Sequence, residues 1–172
     1  MTTRSNFLRP LSLLPLILLF SSCSDNPIAP EGFIGHSGGC GNFMVYKFNV
    51  EKTDAVVVRG TDSGLDFNRN PTEYTLPDPR LTVSIERFSG PANAHYCDDV
   101  FDNSEPKLTE TWKAVSGKVM IASGDTLQPV SGAPIYQIEV YLQDATFKSE
   151  SGEEVKVENV DFGEITVGWY AG

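Results

Sequence analysis

Alternation of apolar and polar residues with a period of two is the feature that most restricts the fold of this chain. In residues 80–88, "RLTVSIERF", Leu81, Val83 and Ile85 are expected on the inward face, and Thr82, Ser84 and Glu86 on the opposite, polar face. Residues 134–147, "PIYQIEVYLQDATF", alternate in the same way. No segment longer than a turn or two repeats apolar residues with the 3.6-residue period of an amphipathic helix. The pattern predicts β-strands and an all-β protein.

Turn-forming Gly, Pro, Asn and Asp residues separate roughly eight such strands. The arrangement predicts an antiparallel β-sandwich with immunoglobulin-like or jelly-roll-like topology, and an open β-barrel is the alternative. Three local features are also predicted: a tight turn at Ser116-Gly117, a bulge near Asp144 and a hairpin bend at Gly152. The remaining strand segments are "NFMVYKFNV", "DAVVVRG", "LTETWKAV", "GKVMIA", "EVKVENV" and "GEITVGWYAG".

The first 22 residues have the composition of an export signal. Arg4 and Arg9 make the start of the chain positive, and Leu11–Phe20 is almost wholly apolar. That apolar run is about half of the roughly 20 residues that a membrane-spanning helix needs, and its length fits a signal peptide. Residues 1–22 are therefore predicted to be a signal peptide.

The residues Phe20-Ser21-Ser22-Cys23 resemble the lipobox of bacterial lipoproteins, in which an aliphatic residue and two small residues precede a cysteine. Phe20 stands where leucine is usual, and the resemblance covers only residues 1–25. It implies that Cys23 becomes the new N-terminus and carries acyl chains that anchor the protein to a membrane of the cell envelope. Ser24 then favours an outer membrane or the cell surface over the inner membrane. A plain secretory signal is the alternative.

Residues 23–39 are predicted to be a lipidated cysteine and a flexible tether rich in Pro, Gly, Ser and Asn, and residues 40–172 a single domain.

Loss of residues 1–22 removes two arginines and no acid, so the net charge changes from −10 to −12. Such an acidic protein repels phosphate groups, and no nucleic-acid partner is expected.

Removal of Cys23 from the count leaves Cys40 and Cys97 as an even pair. In an exported protein two such cysteines are expected to form a disulfide. Closure of this loop would stabilise the fold by about 4 kcal/mol through chain entropy. The alternatives, two free thiols or a metal pair, lack a CxxC or histidine spacing.

Two oxygen-rich segments are candidate calcium sites. The first, "NAHYCDDVFDNSE", also contains His95, and the second is "DSGLDFNRNP". Pro71 occupies the position where an EF-hand loop requires glycine, so the second segment would be a looser loop. The alternative is an exposed acidic loop or ordinary turn residues. The candidate ligands are Asp98, Asp99, Asp102 and Glu105 in the first segment and Asp66, Asn68 and Asn70 in the second.

None of the common hydrolase, metalloprotease or nucleotide-binding motifs occurs, and the protein is predicted not to be an enzyme. Tyr141 is the candidate binding residue, because it points outward if Ile138, Val140 and Leu142 face the core. An exposed tyrosine can stack on a sugar or dock a protein. The predicted function is a non-catalytic binding or structural module for a protein or glycan partner. A calcium-dependent adhesion module is the alternative, and an envelope hydrolase is the most distant one.

Overall fold

The computed structural model describes residues 32–60, 65, 67, 70–93, 95–98, 104–127 and 135–168, with residues 125–127 as backbone alone. This part of the chain contains eight strands and no helix, and all the strand pairs are antiparallel. The all-β antiparallel prediction is confirmed. No helix within these ranges is long and apolar enough to cross a bilayer. The strands are β1 (Ser37–Cys40), β2 (Met44–Phe48), β3 (Asp54–Gly60), β4 (Thr72–Leu76), β5 (Leu81–Phe88), β6 (Leu108–Leu127), β7 (Ile135–Lys148) and β8 (Glu154–Val167).

All eight strands belong to one sheet, in the order β1-β2-β3-β5-β6-β7-β8, with β4 paired to β6 as well. The sheet curls strongly, so that β1 approaches β8. At this seam the Gly168 N–H donates a hydrogen bond of 2.6 Å to the Gly41 carbonyl. A Cβ atom on Gly39 would meet the side chains of Ile165 and Val167. The continuous curled sheet corresponds to the open-barrel alternative rather than to a sandwich of two separate sheets.

Strand β6 is 20 residues long and organises one half of the sheet. Along one edge it pairs first with β5 and then with β4, and along the other edge it pairs with β7. It continues through Ser116-Gly117, so the tight turn predicted there is wrong. Gly117 has a φ of +127°, and a Cβ at this position would lie 2.7 Å from the Cα of Ala145 on β7. Glycine is needed here for a close approach of two strands, not for a turn.

The long hairpin of β7 and β8 contains both of its predicted irregularities. Asp144 has a φ of +48°, and the pairing of β7 with β6 shifts register between Ser116 and Lys118. Gly152, with a φ of +92°, lies in the turn between the two strands. The bulge near Asp144 and the bend at Gly152 are therefore confirmed.

The barrel interior is the main core, and a second, smaller core lies on the outer surface of β2, β3 and β5. Alternation along β3 sends Val56 and Val58 into the main core, whereas Ala55 and Val57 face the second core. Ser84 and Glu86 lie on the predicted polar face of β5, yet both are buried. The second core consists of Tyr46, Phe48, Ala55, Val57, Phe88, Ala92 and Tyr96.

The segment that follows β5 covers the second core and is fixed there by the disulfide. Ala92 and Tyr96 from this segment pack into the second core. Cys97 is bonded to Cys40 of β1, with their Cα atoms 5.7 Å apart. The predicted Cys40–Cys97 disulfide is confirmed.

The folded body begins before the position that the sequence suggested. Phe33 is buried in the main core, and Ser37–Cys40 forms β1. The Gly35 N–H donates to the Phe48 carbonyl at 2.9 Å, which extends the pairing with β2 toward the N-terminus. Residues 33–39, which the sequence analysis assigned to the tether, therefore lie in the folded body.

We expect Gly117→Ala to destabilise the protein by about 2–4 kcal/mol, because it combines an unfavourable positive φ with a clash against β7. Gly163→Ala is the matched control. Gly163 also has a positive φ of +75°, but a Cβ at this position would have no atom within 4 Å beyond its immediate chain neighbours. The control should lose only about 1 kcal/mol. Urea unfolding measures both values, and equal losses would contradict the close approach at Gly117.

Candidate functional site

Tyr141 lies at the centre of an exposed surface formed by β4, β6, β7 and β8. It is 36% exposed, which makes it one of the large hydrophobic side chains that the described residues leave open to solvent. Cross-strand pairing places three rows of residues on this surface, which we call the Tyr141 face. The rows are Ala122, Glu139 and Glu164; then Glu73, Met120, Tyr141 and Asp161; then Thr75, Lys118, Gln143 and Asn159.

The Tyr141 face is strongly acidic. Its one lysine, Lys118, forms an ion pair of 2.9 Å with Glu73. Among the described residues, Glu139, Asp161 and Glu164 form no ion pair. The carboxylates of Asp161 and Glu139 raise the pKa of the Tyr141 hydroxyl above its usual value. The tyrosine is therefore neutral at physiological pH and lies in a negative field.

A cleft of about 170 Å³ adjoins the Tyr141 face where β6 and β7 lose regular register. Gly124 and Gln137 line it, together with Glu139 and Glu164. The two glutamates lie directly opposite each other on β7 and β8. Like charges in such a pair destabilise a sheet unless another group compensates them. The arrangement is suited to a positively charged group that lies against both carboxylates.

The chemistry of this face is that of recognition by charge and stacking. A tyrosine ring attracts a cation held above it, and neighbouring carboxylates add to that attraction. The amides of Gln143 and Asn159 supply hydrogen-bond donors and acceptors beside the ring. Because Tyr141 stands on the middle of a long, doubly paired strand, its position is held by the sheet rather than by a loop.

A second polar cluster lies under the segment after β5, and it is internally satisfied. The guanidinium of Arg59 binds both oxygens of Glu86, at 2.5 and 3.2 Å. The Tyr96 hydroxyl donates to the same carboxylate at 2.7 Å, and the Ser84 hydroxyl donates at 3.3 Å. Burial alone would raise the pKa of Glu86, but the bonds from Arg59 and Tyr96 outweigh it and hold the pKa below its usual value.

This Glu86 cluster ties three parts of the fold together. Arg59 comes from β3 and Glu86 from β5, while Tyr96 comes from the covering segment. Both carboxylate oxygens already accept strong hydrogen bonds, so the cluster holds the cover in place. No pattern in the sequence predicted this cluster. Its signals were a glutamate inside an alternating strand and a tyrosine next to a disulfide cysteine.

Both histidines contact aromatic rings of the second core. His36 lies edge-on to Tyr46, with ring centroids 6.2 Å apart. His95 packs against Phe88 at 4.5 Å and against Tyr96 at 5.1 Å. His95 thus contributes to packing under the cover, whereas the sequence analysis grouped it with the acidic ligands of the same loop.

The candidate calcium ligands fall largely outside the described residues. In the first segment the structure describes Asp98 and Glu105 but not Asp99 or Asp102. In the second segment it describes Asn70, and Asp66 and Asn68 lie outside. Within the described ranges, no three His, Cys, Asp or Glu residues are grouped as metal ligands. Calcium binding stays a prediction.

No protein family, curated protein or solved structure matches this chain. The two candidates for a binding site are therefore the Glu86 cluster and the Tyr141 face. The Glu86 carboxylate is buried and fully paired, whereas the Tyr141 face is exposed and carries three carboxylates without ion pairs among the described residues. The Tyr141 face is the candidate binding site.

We expect Glu86→Gln to lower the free energy of unfolding by about 1–3 kcal/mol at pH 7, because Arg59 and Tyr96 lose a charged partner. The pKa of Glu86 is lower in the folded state than in the unfolded chain. Its contribution is therefore complete above about pH 4.3, the usual pKa of glutamate, and is lost as the pH falls through the folded-state pKa.

The measurement is urea unfolding of both proteins between pH 7 and pH 3. The gap between the two curves should shrink as the pH falls below about 4. Glu73→Gln is the control, because the Glu73–Lys118 pair is exposed and such pairs contribute about 0–1 kcal/mol. A gap for Glu86→Gln that is constant over the whole pH range would contradict the assignment.

Proposed function

We propose that this protein is a lipid-anchored, non-catalytic binding module of the cell envelope, and that it holds a protein partner on the Tyr141 face. The observation that carries the proposal is an exposed tyrosine next to carboxylates that have no ion pair among the described residues. Carboxylates without an ion pair can accept lysine or arginine side chains of another molecule, and Asp161 does so through Oδ2, because its Oδ1 accepts the Gly163 N–H at 2.7 Å. The partner surface is accordingly basic.

A basic protein fits this face better than a neutral glycan does. The carboxylates of Asp161 and Glu139 raise the pKa of the Tyr141 hydroxyl, so their negative field reaches this side chain and adds to the attraction of a cation held over the ring. A neutral sugar would stack on the ring and bond to the amides of Gln143 and Asn159, but it would not interact with the negative charge of the carboxylates. Charge also accelerates association with a basic partner, and this effect weakens with added salt.

The proposed anchor is an acylated Cys23 after removal of residues 1–22. Support comes from the residues Phe20-Ser21-Ser22-Cys23 and from the Cys40–Cys97 disulfide, which leaves Cys23 without a cysteine partner. Disulfides are typical of proteins in oxidising compartments outside the cytoplasm. An outer membrane or the cell surface is the proposed location, where the anchored domain can meet its partner.

The binding proposal predicts that Tyr141→Ala weakens partner binding roughly 5–30-fold, which corresponds to about 1–2 kcal/mol for a stacked cation. The partner is first isolated with the wild-type domain from solubilised envelope, then purified, and its affinity is measured by calorimetry. Glu139→Gln combined with Asp161→Asn should weaken binding to a similar degree and reduce its dependence on salt.

The matched control is Glu51→Gln combined with Glu150→Gln, which removes the same charge from two exposed turn residues away from the Tyr141 face. This control should bind like the wild type. Unchanged affinity of Tyr141→Ala would contradict the proposed face. Capture of a glycan whose affinity is insensitive to salt would identify a sugar-binding module instead of a protein-binding one.

The anchor proposal predicts that cells grown with labelled palmitate incorporate the label into this protein. Cys23→Ala should abolish the label, because the thiol that accepts the lipid is gone. Cys40→Ala combined with Cys97→Ala should keep the label, since these cysteines pair with each other. A wild-type protein without label would refute the anchor.

A further inference from the structure

The end of the barrel from which the N-terminal segment leaves carries three exposed apolar side chains. Ile34 is 73% exposed, Val50 is 62% exposed and Leu108 is 46% exposed. We call these three residues the tether rim. Leucine, isoleucine and valine are common in cores, so their grouping at one end of the molecule favours a partner of low polarity.

Strand pairing places all three residues at the same end of the sheet. Val50 lies in the turn between β2 and β3, and Ile34 precedes Gly35, which bonds to Phe48 at the end of β2. Leu108 begins β6 and pairs with the last residue of β5. The end of β5 is in turn joined to the β2–β3 turn by a hydrogen bond of 2.7 Å from the Phe88 N–H to the Thr53 carbonyl.

The turn that presents Val50 is firmly held. The Asn49 side chain accepts hydrogen bonds from the backbone N–H groups of Thr53 and Asp54, at 2.9 and 3.2 Å. The Lys52 ammonium donates to Asn93 of the covering segment at 2.7 Å. Val50 is therefore displayed by a supported turn, and binding at this point would not first have to order the chain.

The length of chain before the rim indicates what lies opposite it. Nine residues separate Cys23 from Phe33, the first core residue. As a coil they span roughly 17 Å, and fully extended they reach roughly 35 Å. A lipid on Cys23 would therefore keep the tether rim, rather than the opposite end of the barrel, close to the bilayer.

We infer that the tether rim rests on the membrane surface, with Ile34, Val50 and Leu108 inserted among the lipid headgroups. This inference rests on the proposed lipid anchor at Cys23. The acyl chains on Cys23 hold the protein at the membrane but do not fix its orientation, and a second contact at the tether rim would fix it. The anchor supplies a high local concentration of lipid, so three apolar side chains are enough to add binding.

The charges at this end favour a zwitterionic lipid surface over a strongly anionic one. Lys52 and Lys107 lie beside the rim, and so do Glu51 and Glu150. Without residues 1–22 the protein has a net charge of −12. An anionic surface would repel such a protein, whereas phosphatidylcholine would not.

The test uses the full-length lipidated protein in phosphatidylcholine vesicles. Ile34→Trp and Val50→Trp add a tryptophan at two rim positions, Val115→Trp is the matched control on β6, and the wild-type emission of Trp112 and Trp169 is subtracted from each spectrum. Lipids brominated near the headgroup should quench the two rim tryptophans at least twofold more strongly than the control. Palmitate labelling and flotation with vesicles are measured on the same samples.

A second variant addresses the strength of the contact. Ile34→Ser combined with Val50→Ser should speed transfer of the protein between vesicles roughly tenfold, because less apolar surface is buried. Val115→Ser, a change of the same kind on β6, should leave the transfer rate unchanged. Ile34 and Val50 are exposed, so the two substitutions are not expected to unfold the protein.

Each result decides between the possible occupants of the rim. Labelled protein that floats with vesicles but shows equal quenching at all three positions overturns the inference and leaves the anchor intact. Rim tryptophans that shift to the blue without vesicles, together with a dimeric mass, assign the rim to a second copy of the chain and overturn it too. Unlabelled protein that does not float overturns both the anchor and the inference.

Discussion

The burial of β3 on both faces is the constraint on which the rest of the structure depends. Ala55, Val56, Val57 and Val58 have no exposed surface, and neighbours along this run point to opposite sides of the sheet. A strand of this kind needs apolar cover above and below. The curled sheet supplies one cover, and the segment after β5 supplies the other. The disulfide and the Glu86 cluster both serve to hold that second cover in place.

Sequence patterns predicted local structure, such as strand faces and bends, better than contacts between residues far apart in the chain. Alternation assigned the faces of β7 correctly, because the pattern depends only on neighbours in the chain. It failed at Glu86, whose environment is set by Tyr96 and Arg59 from other elements. It also failed at Gly117, because glycine marks turns and close strand contacts alike, and only the partner strand distinguishes them.

At the candidate site too, the sequence predicted a local feature but not the contacts between strands. The exposure of Tyr141 follows from its position between Val140 and Leu142, and the sequence predicted it. The acids around Tyr141 come from β4, β7 and β8, and their alignment depends on the register of three strand pairs, including a shift beside Tyr141. The register of these strand pairs cannot be predicted from the residue pattern of any single segment. The face could therefore be assembled only from the structure.

If the proposed lipid on Cys23 holds the protein by its N-terminal segment, the disulfide has a mechanical consequence. A load that arrives at Phe33 passes along β1, whose hydrogen bonds to β2 lie across the direction of the chain. A load directed along β1 acts on these bonds in shear, so they break together rather than one after another. If they did break, the pull would reach Cys40 and pass through a covalent bond to the segment that covers the second core. Force on the tether is thereby spread into the middle of the sheet, and the first strand cannot be peeled away alone.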